Sequence, residues 1–284
     1  MRTVLLSDST PLPALGLGTW RLGESTSRRA GEVAALRHAV DLGYRLFDTA
    51  EMYGDGGAET VLGEALRGAI AAGDVRRADL FIVSKVLPHN AGRAGAAVAC
   101  ERSLGRLGIE TIDLYLLHWR GAHPLAETLE AFQALQAAGR IRHWGVSNLD
   151  VDDLEELARH PGGKHCAANQ VWYSAGQRGA EFALLPWMRG HGMPLMAYSP
   201  IDQAALSRDA ALQGLGRRLG VSAAQVALAW VLRQDGVVAI PKSVRPTHLR
   251  DNLAAAELVL DATSLAEIDH AFAPPKRWGA LAVN

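Results

Sequence analysis

The sequence predicts a closed barrel of eight parallel strands, each followed by a helix. Three observations predict it. Short apolar runs recur along the chain, separated by segments with room for one helix and two loops. Each run ends on a polar residue, in order Asp48, Lys85, His118, Asn148, Gln170, Ser199 and Lys242. The length, 284 residues, matches one such barrel. A doubly wound open sheet is the alternative that the same alternation allows.

The elements follow in order. Val4-Leu5-Leu6 and Leu12-Pro13-Ala14-Leu15 flank a turn-rich loop and predict an N-terminal β-hairpin. Gly16–Thr19 supplies the first barrel strand. Val33, Leu36 and Val40 repeat at helical spacing between about Arg28 and Leu42, and Gly43 ends that helix. The other strands are expected near 44–48, 80–84, 112–117, 142–146, 166–170, 193–198 and 237–240. Helices are expected near 58–70, 95–107, 125–138, 150–158, 180–190 and 222–234, and a further one begins near Thr247. The tail from about Ala273 carries no predicted element. No linker or low-complexity segment interrupts the chain, so one barrel domain over 1–284 is expected.

Composition excludes several classes of function. Apolar residues make up 49% of the chain but lie in runs far too short to span a membrane. A net charge of −1 argues against a dominant surface for nucleic acid or anionic lipid. Cys100 and Cys166 are the only cysteines and form no CxxC, so two free thiols are expected. The N-terminus has no sustained apolar stretch of a signal peptide, and a cytoplasmic protein is expected. Ten histidines include no HxH or HExxH, so no metal is expected. There is no GxSxG elbow either.

The strand ends carry the chemistry. Tyr53 follows Asp48 by five residues and is the candidate acid, since a phenol holds its proton at neutral pH. An ammonium at Lys85 is expected to lower the Tyr53 pKa, with Asp48 keeping that ammonium charged and oriented. His118 is placed to hydrogen-bond a substrate oxygen. Taken singly, each residue has an ordinary explanation as a cap, a rim residue or a solvated charge. Together they point to protonation of an alkoxide forming at a carbonyl carbon. Gly16, Gly18 and Gly23 do not make a dinucleotide fingerprint, because their spacing is GxGxxxxG and no helix opens at the required place. They suit either close approach of a ligand or a simple turn. The stretch Ile240–Asn252 gathers Lys242, Ser243 and Arg245 before a helix start, which suits an anion, although an ordinary basic loop has the same composition.

These residues together resemble the aldo-keto reductase family over nearly the whole chain. The resemblance is carried by Gly18-Thr19-Trp20, Phe47-Asp48-Thr49-Ala50 with Tyr53-Gly54, Ser84-Lys85, Leu117-His118-Trp119, Gly145-Val146-Ser147-Asn148, Asn169-Gln170, Ala197-Tyr198-Ser199-Pro200 and Ile240-Pro241-Lys242-Ser243. Leu184-Leu185-Pro186-Trp187 and the short tail look closest to the bacterial branch that reduces small aldehydes and dicarbonyls such as methylglyoxal.

The resemblance implies an NADPH-dependent carbonyl reductase acting on a small carbonyl compound. It implies Tyr53 as general acid, Lys85 and Asp48 tuning it, and His118 orienting the carbonyl. Tyr198 would stack on the nicotinamide, with Ser147, Asn148 and Gln170 at its carboxamide. Ser199, Pro200, Ile201 and Gln203 would line the pyrophosphate. Lys242, Ser243, Arg245, His248, Asp251 and Asn252 would receive the adenosine end, and Gly18, Thr19, Trp20, Asp48 and Ile240 complete the cofactor contacts.

His248 stands where NADPH-using relatives commonly carry arginine, which leaves NADH as a second cofactor. The loop after Tyr53 is lengthened by Gly54–Glu59. The chain stops soon after Trp278, so a more open pocket is expected, lined by Trp20, Tyr53, Trp119 and Trp278. Two rivals stand beside the enzyme: a redox-sensing regulatory subunit on the same fold, and a metal-dependent barrel hydrolase. The complete tetrad opposes the first and the lack of metal-ligand spacing opposes the second.

Overall fold

The computed structural model describes residues 2–283. Eight short strands form one parallel sheet in strictly sequential order. They are β3 (Leu17–Gly18), β4 (Leu46–Asp48), β5 (Phe81–Val86), β6 (Ile112–Leu117), β7 (Ile141–Ser147), β8 (Asn169–Trp172), β9 (Leu195–Tyr198) and β10 (Val237–Ala239). The two sheet edges meet. Leu15 bridges Ala239 in parallel, and the Gly16 and Gly18 N–H groups donate to the Ala239 and Pro241 carbonyls at 2.9 and 3.1 Å. The barrel is therefore closed, and the doubly wound alternative falls.

The hairpin β1 (Thr3–Leu5) and β2 (Pro11–Pro13) pairs antiparallel, Val4 opposite Leu12. It faces Met193, Pro194 and Gly236, which lead into β9 and β10, and so covers the N-terminal mouth of the barrel. Val4, Leu6 and Leu12 are buried there in the common core. The opposite mouth, where the strands deliver their last residues, is left for a site.

Helices α1 (Arg29–Asp41), α2 (Gly57–Ala72), α3 (Arg93–Leu107), α4 (Leu125–Ala137), α5 (Val151–Arg159), α6 (Leu184–Gly190), α7 (Ala210–Leu219), α8 (Ala223–Leu232), α9 (Pro246–Ala255) and α10 (Ala262–Ala271) connect the strands or follow the last one. Their apolar faces make the outer core. In α2, Ala58, Val61, Leu62, Ala65, Leu66 and Ala69 are buried at the spacing of one helical face. Helix α8 is buried all round its last two turns, from Val226 to Leu232, and starts at a reciprocal cap between Ser222 and Gln225.

Two helices were not expected from the sequence. Helix α7 has Gly214, Gly216 and two arginines that break up its apolar repeat, and α10 buries only Ser264 and Ile268. Strand β8 begins three residues later than the expected 166, because Cys166–Ala168 lead in from a turn. Among the described residues, no helix is long and apolar enough to cross a membrane. Cys100 and Cys166 are free and buried.

Candidate active site

Neighbouring parallel strands bring three distant residues together. Asp48 ends β4, Lys85 lies one residue from the end of β5, and His118 follows β6. The register sets Asp48 beside Val83 and Lys85 beside Leu116, so the three side chains emerge at one mouth. Tyr53 comes from the loop between β4 and α2, which folds back through Tyr53 N–H to the Ala50 carbonyl at 3.1 Å.

Lys85 is completely buried, and its ammonium donates three times: to Asp48 Oδ1 at 2.7 Å, to the Thr49 carbonyl at 2.9 Å and to Tyr53 Oη at 3.2 Å. Those bonds use all the donors an ammonium has. Burial alone would pull the Lys85 pKa down, but the Asp48 carboxylate and the Tyr53 oxygen beside it carry it above its usual value. Asp48 is fixed on its other oxygen by Gln170 Nε2 at 2.7 Å. Since Tyr53 Oη accepts from Lys85, its own proton remains to be donated.

Burial raises the Tyr53 pKa, and Lys85 only offsets part of that rise. This corrects the expectation that Lys85 would lower it outright. The ammonium acts in the expected direction, but desolvation of the phenol outweighs it. At neutral pH the hydroxyl is protonated.

His118 lies edge-on to Tyr53, ring centres 5.7 Å apart, with Trp119 against its other side at 4.8 Å. Burial, followed by the charge on Lys85, pushes the His118 pKa down to about 2. The imidazole is therefore neutral. It can donate one N–H to an oxygen but holds no spare proton to give away. Its Nδ1 is buried with no hydrogen-bond partner among the described residues.

The other rim residues form a second network. Tyr198 donates to Asn148 Oδ1 at 3.0 Å, Asn148 Nδ2 donates to the His118 carbonyl at 3.1 Å, and Ser147 Oγ donates to the Gln170 carbonyl at 2.8 Å. Asn148 and Ser199 take left-handed backbone angles, φ 60° and 47°, as the chain turns sharply out of β7 and β9. Asp202, Gln203 and Ala204 also have positive φ. Asp202 accepts from Trp172 Nε1 at 2.8 Å and Ser174 Oγ at 2.6 Å, which ties the Ser199–Ala204 segment to β8.

The remaining predicted residues lie on β3 and on the chain beyond β10, two segments joined at the Gly18 N–H and the Pro241 carbonyl. A Cβ on Gly18 would lie 3.0 Å from the Ile240 carbonyl, so glycine lets the two sheet edges approach closely here. Thr19 Oγ1 donates to the Asp48 carbonyl at 3.0 Å. Desolvation pulls the Lys242 ammonium below its usual pKa. Ser243 Oγ accepts from Arg245 N–H at 3.1 Å. Helix α9 then starts with Pro246 and no side-chain cap, beside exposed Arg245 and His248. Its first-turn N–H groups and these cations are donors suited to an anion. Asn252 is buried, with Asp251 partly exposed next to it.

At the mouth, Trp20 and Trp119 are each 37% exposed and form apolar walls. Arg21 stacks over Trp20 with its guanidinium 4.5 Å from the ring. Pro200 is buried and Ile201 half-buried at the end of β9. Trp278 is 62% exposed in the tail. No local pattern marks Glu51, Glu59, Asp202, Trp172 or Ser174, whose importance is set by partners far along the chain. Among the described residues, no group of three or more His, Cys, Asp or Glu side chains is arranged to hold a metal ion.

Comparison with known proteins gives the family. The model of the aldo/keto reductase family matches residues 14–273. The chain is 48% identical to the methylglyoxal reductase YeaE of Escherichia coli, over 99% of this chain and 98% of that protein. It is 33% identical to the glyoxal reductase of Bacillus subtilis, over 94% of this chain and 91% of that one. The crystal structure of an aldo-keto reductase from Klebsiella pneumoniae in complex with NADPH superposes with a TM-score of 0.94 at 46% identity, covering 100% of this chain and 99% of the other.

Proposed function

Because this chain belongs to the aldo/keto reductase family, we propose that it reduces small aldehydes, ketones or dicarbonyls to alcohols with NADPH, using Tyr53 as the proton donor. The carrying observation is the Lys85 ammonium, which reaches both Tyr53 Oη, at 3.2 Å, and Asp48, at 2.7 Å, beside a neutral histidine. Two groups would meet the carbonyl oxygen. His118, held neutral, has no proton to release near pH 7. Tyr53 has one, and an alkoxide developing on the substrate oxygen is a much stronger base than a phenolate. The neighbouring ammonium stabilises the phenolate as it forms.

These rim residues would receive a nicotinamide dinucleotide. The buried, unpartnered Nδ1 of His118 and the uncapped start of α9 support this. Tyr198 would lie against the nicotinamide, with Ser147, Asn148 and Gln170 near its carboxamide. Ser199, Pro200, Ile201 and Gln203 would follow the pyrophosphate. Lys242, Ser243, Arg245 and His248 would meet a 2′-phosphate, with Asp251 and Asn252 beside the adenine. Ile240, Thr19 and Trp20 would complete the contacts. When bound, NADPH supplies hydride to the carbonyl carbon.

On the protein side, His118 and Tyr53 both hydrogen-bond the carbonyl oxygen. Asp48 and Gln170 hold Lys85 in line, and Tyr53 passes its proton as negative charge builds on that oxygen. Trp20 and Trp119 hold the apolar part of the substrate. The identities of the relatives favour dicarbonyls such as methylglyoxal and glyoxal. The test is consumption of NADPH with methylglyoxal. Tyr53→Phe is expected to lower kcat by about 10²–10⁴-fold while the dissociation constant for NADPH stays put. Unchanged turnover in that variant removes Tyr53 from the role.

A further inference from the structure

Two buried carboxylates flank Tyr53, and neither belongs to the tetrad. Glu51 lies two residues before it and Glu59 six residues after it; they are 7% and 0% exposed. Each reaches the strand that carries Lys85, on opposite sides of that lysine. Glu59 Oε1 accepts from Ser84 Oγ at 2.5 Å, and Glu51 Oε1 accepts from the Leu87 N–H at 2.8 Å. The Glu51 N–H also donates to the Lys85 carbonyl at 3.3 Å. The same pair thus brackets Tyr53 in its loop and Lys85 in β5.

Each carboxylate is completed by an arginine of α3, and those arginines are one helical turn apart. Arg106 Nε donates to Glu59 Oε2 at 2.6 Å, and Arg102 reaches Glu51 Oε2 at 3.3 Å. Residues four apart share a helix face, so α3 presents both guanidiniums to the Tyr53 loop at once. The end of the loop, just before α2, makes room for this. Gly56 sits at φ 81°, and a Cβ there would lie 2.5 Å from Arg106 Nε. Between loop and helix is a cavity of about 490 Å³ lined by Glu51, Met52, Asp55, Arg102 and Arg106 among others. On this flank, charged groups rather than packed apolar side chains span the gap.

We propose that Arg102–Glu51 and Arg106–Glu59 form a positioning bracket that sets the separation of Tyr53 Oη and Lys85 Nζ, and through it the rate of proton donation. The inference rests on the functional reading above. Neither arginine touches substrate or cofactor; they act through the loop and the strand. The carboxylates are buried and the arginines partly exposed, so removing an arginine leaves a buried carboxylate without its counter-charge and the bracket shifts. A displacement of about 1 Å at a reacting group costs on the order of 10²-fold in rate.

The test uses the full chain with Arg106→Gln, Arg102→Gln, Arg106→Lys and, as a control on the same helix, Arg93→Gln, whose exposed pair with Glu130 lies away from the bracket. With NADPH and methylglyoxal, Arg106→Gln is expected to lower kcat by about 10- to 100-fold while KM for NADPH changes less than about twofold. Arg106→Lys restores most of the rate, and Arg93→Gln keeps it. A second readout needs no turnover. With ¹³Cζ-labelled tyrosine, the Tyr53 resonance, assigned by its loss in Tyr53→Phe, shifts in both glutamine variants and not in the control.

If Arg106→Gln does not fold, Arg102→Gln carries the same two measurements on the more exposed pair. Folded glutamine variants with wild-type kcat and an unmoved Tyr53 resonance overturn the proposal. A wild-type protein that reduces no carbonyl compound overturns the functional reading instead, and the resonance alone then decides on the bracket.

Discussion

Replacing Asp48 by Asn tests the electrostatic centre of the site directly. The variant keeps the shape of the side chain and removes its charge. Lys85 is 0% exposed and its only carboxylate contact among the described residues is Asp48, at 2.7 Å. Breaking a buried ion pair from one side costs about 3–5 kcal/mol. At about 2–3 °C per kcal/mol for a chain of this size, the melting temperature at pH 7 should drop by roughly 10 °C.

The pH dependence gives a sharper signature. In the wild type, the Lys85 pKa lies above its ordinary 10.5. Its contribution to stability is therefore complete below that value and is lost only as pH rises through the higher folded value. Without Asp48, burial is the dominant influence and pulls the lysine below 10.5. The sign then reverses. The unfolded chain binds a proton that the folded one resists, so stability rises with pH between the lowered folded value and 10.5. Urea unfolding of both proteins at pH 7 and pH 9.5 measures this. A variant as stable as wild type at pH 7, or one whose midpoint does not climb with pH, would refute the assignment of the Lys85 charge to Asp48.

Two further outcomes follow from the same site. The His118 imidazole is held down to about 2 from an ordinary 6.5, so the unfolded chain alone takes up this proton as pH falls below 6.5. Wild-type stability should decline there by up to about 1.4 kcal/mol per pH unit from this residue. In His118→Asn that part of the slope disappears, which paired urea titrations at pH 7, 6 and 5 detect. Lys242→Ala should weaken NADPH binding by about 10-fold or more, the loss of one charge-assisted contact, and leave NADH nearly unchanged. Fluorescence titration with both nucleotides checks it, and equal weakening argues against a 2′-phosphate contact.

Much of the architecture was legible because the strands announce their own ends. Ile112–Leu117 is uniformly buried and stops at His118, and Leu195–Tyr198 stops at Ser199. In a barrel, such endings share one rim, so convergence of Asp48, Lys85 and His118 could be expected before any coordinates. The net sense of the Tyr53 shift was not legible, because it depends on how much desolvation competes with one nearby ammonium. Helix α7 was hidden by glycines that serve packing rather than periodicity, since Gly216 lies against the Val221 carbonyl of the following turn. Glu51 lies in a loop and Glu59 at a helix start, where nothing local marks either. Only their partners on α3 and β5 make them buried structural charges, and no local pattern encodes that pairing.

Lys85 has one more chemical consequence. An unprotonated amine beside an aldehyde ordinarily condenses with it to an imine, which here would consume both the substrate and the site. The Lys85 nitrogen, fully occupied as an ammonium by three oxygens, has no lone pair to offer. The two thiols are equally unreactive, buried with their pKa values pushed up to about 12. A centre built this way keeps this buried amine from condensing with a carbonyl compound.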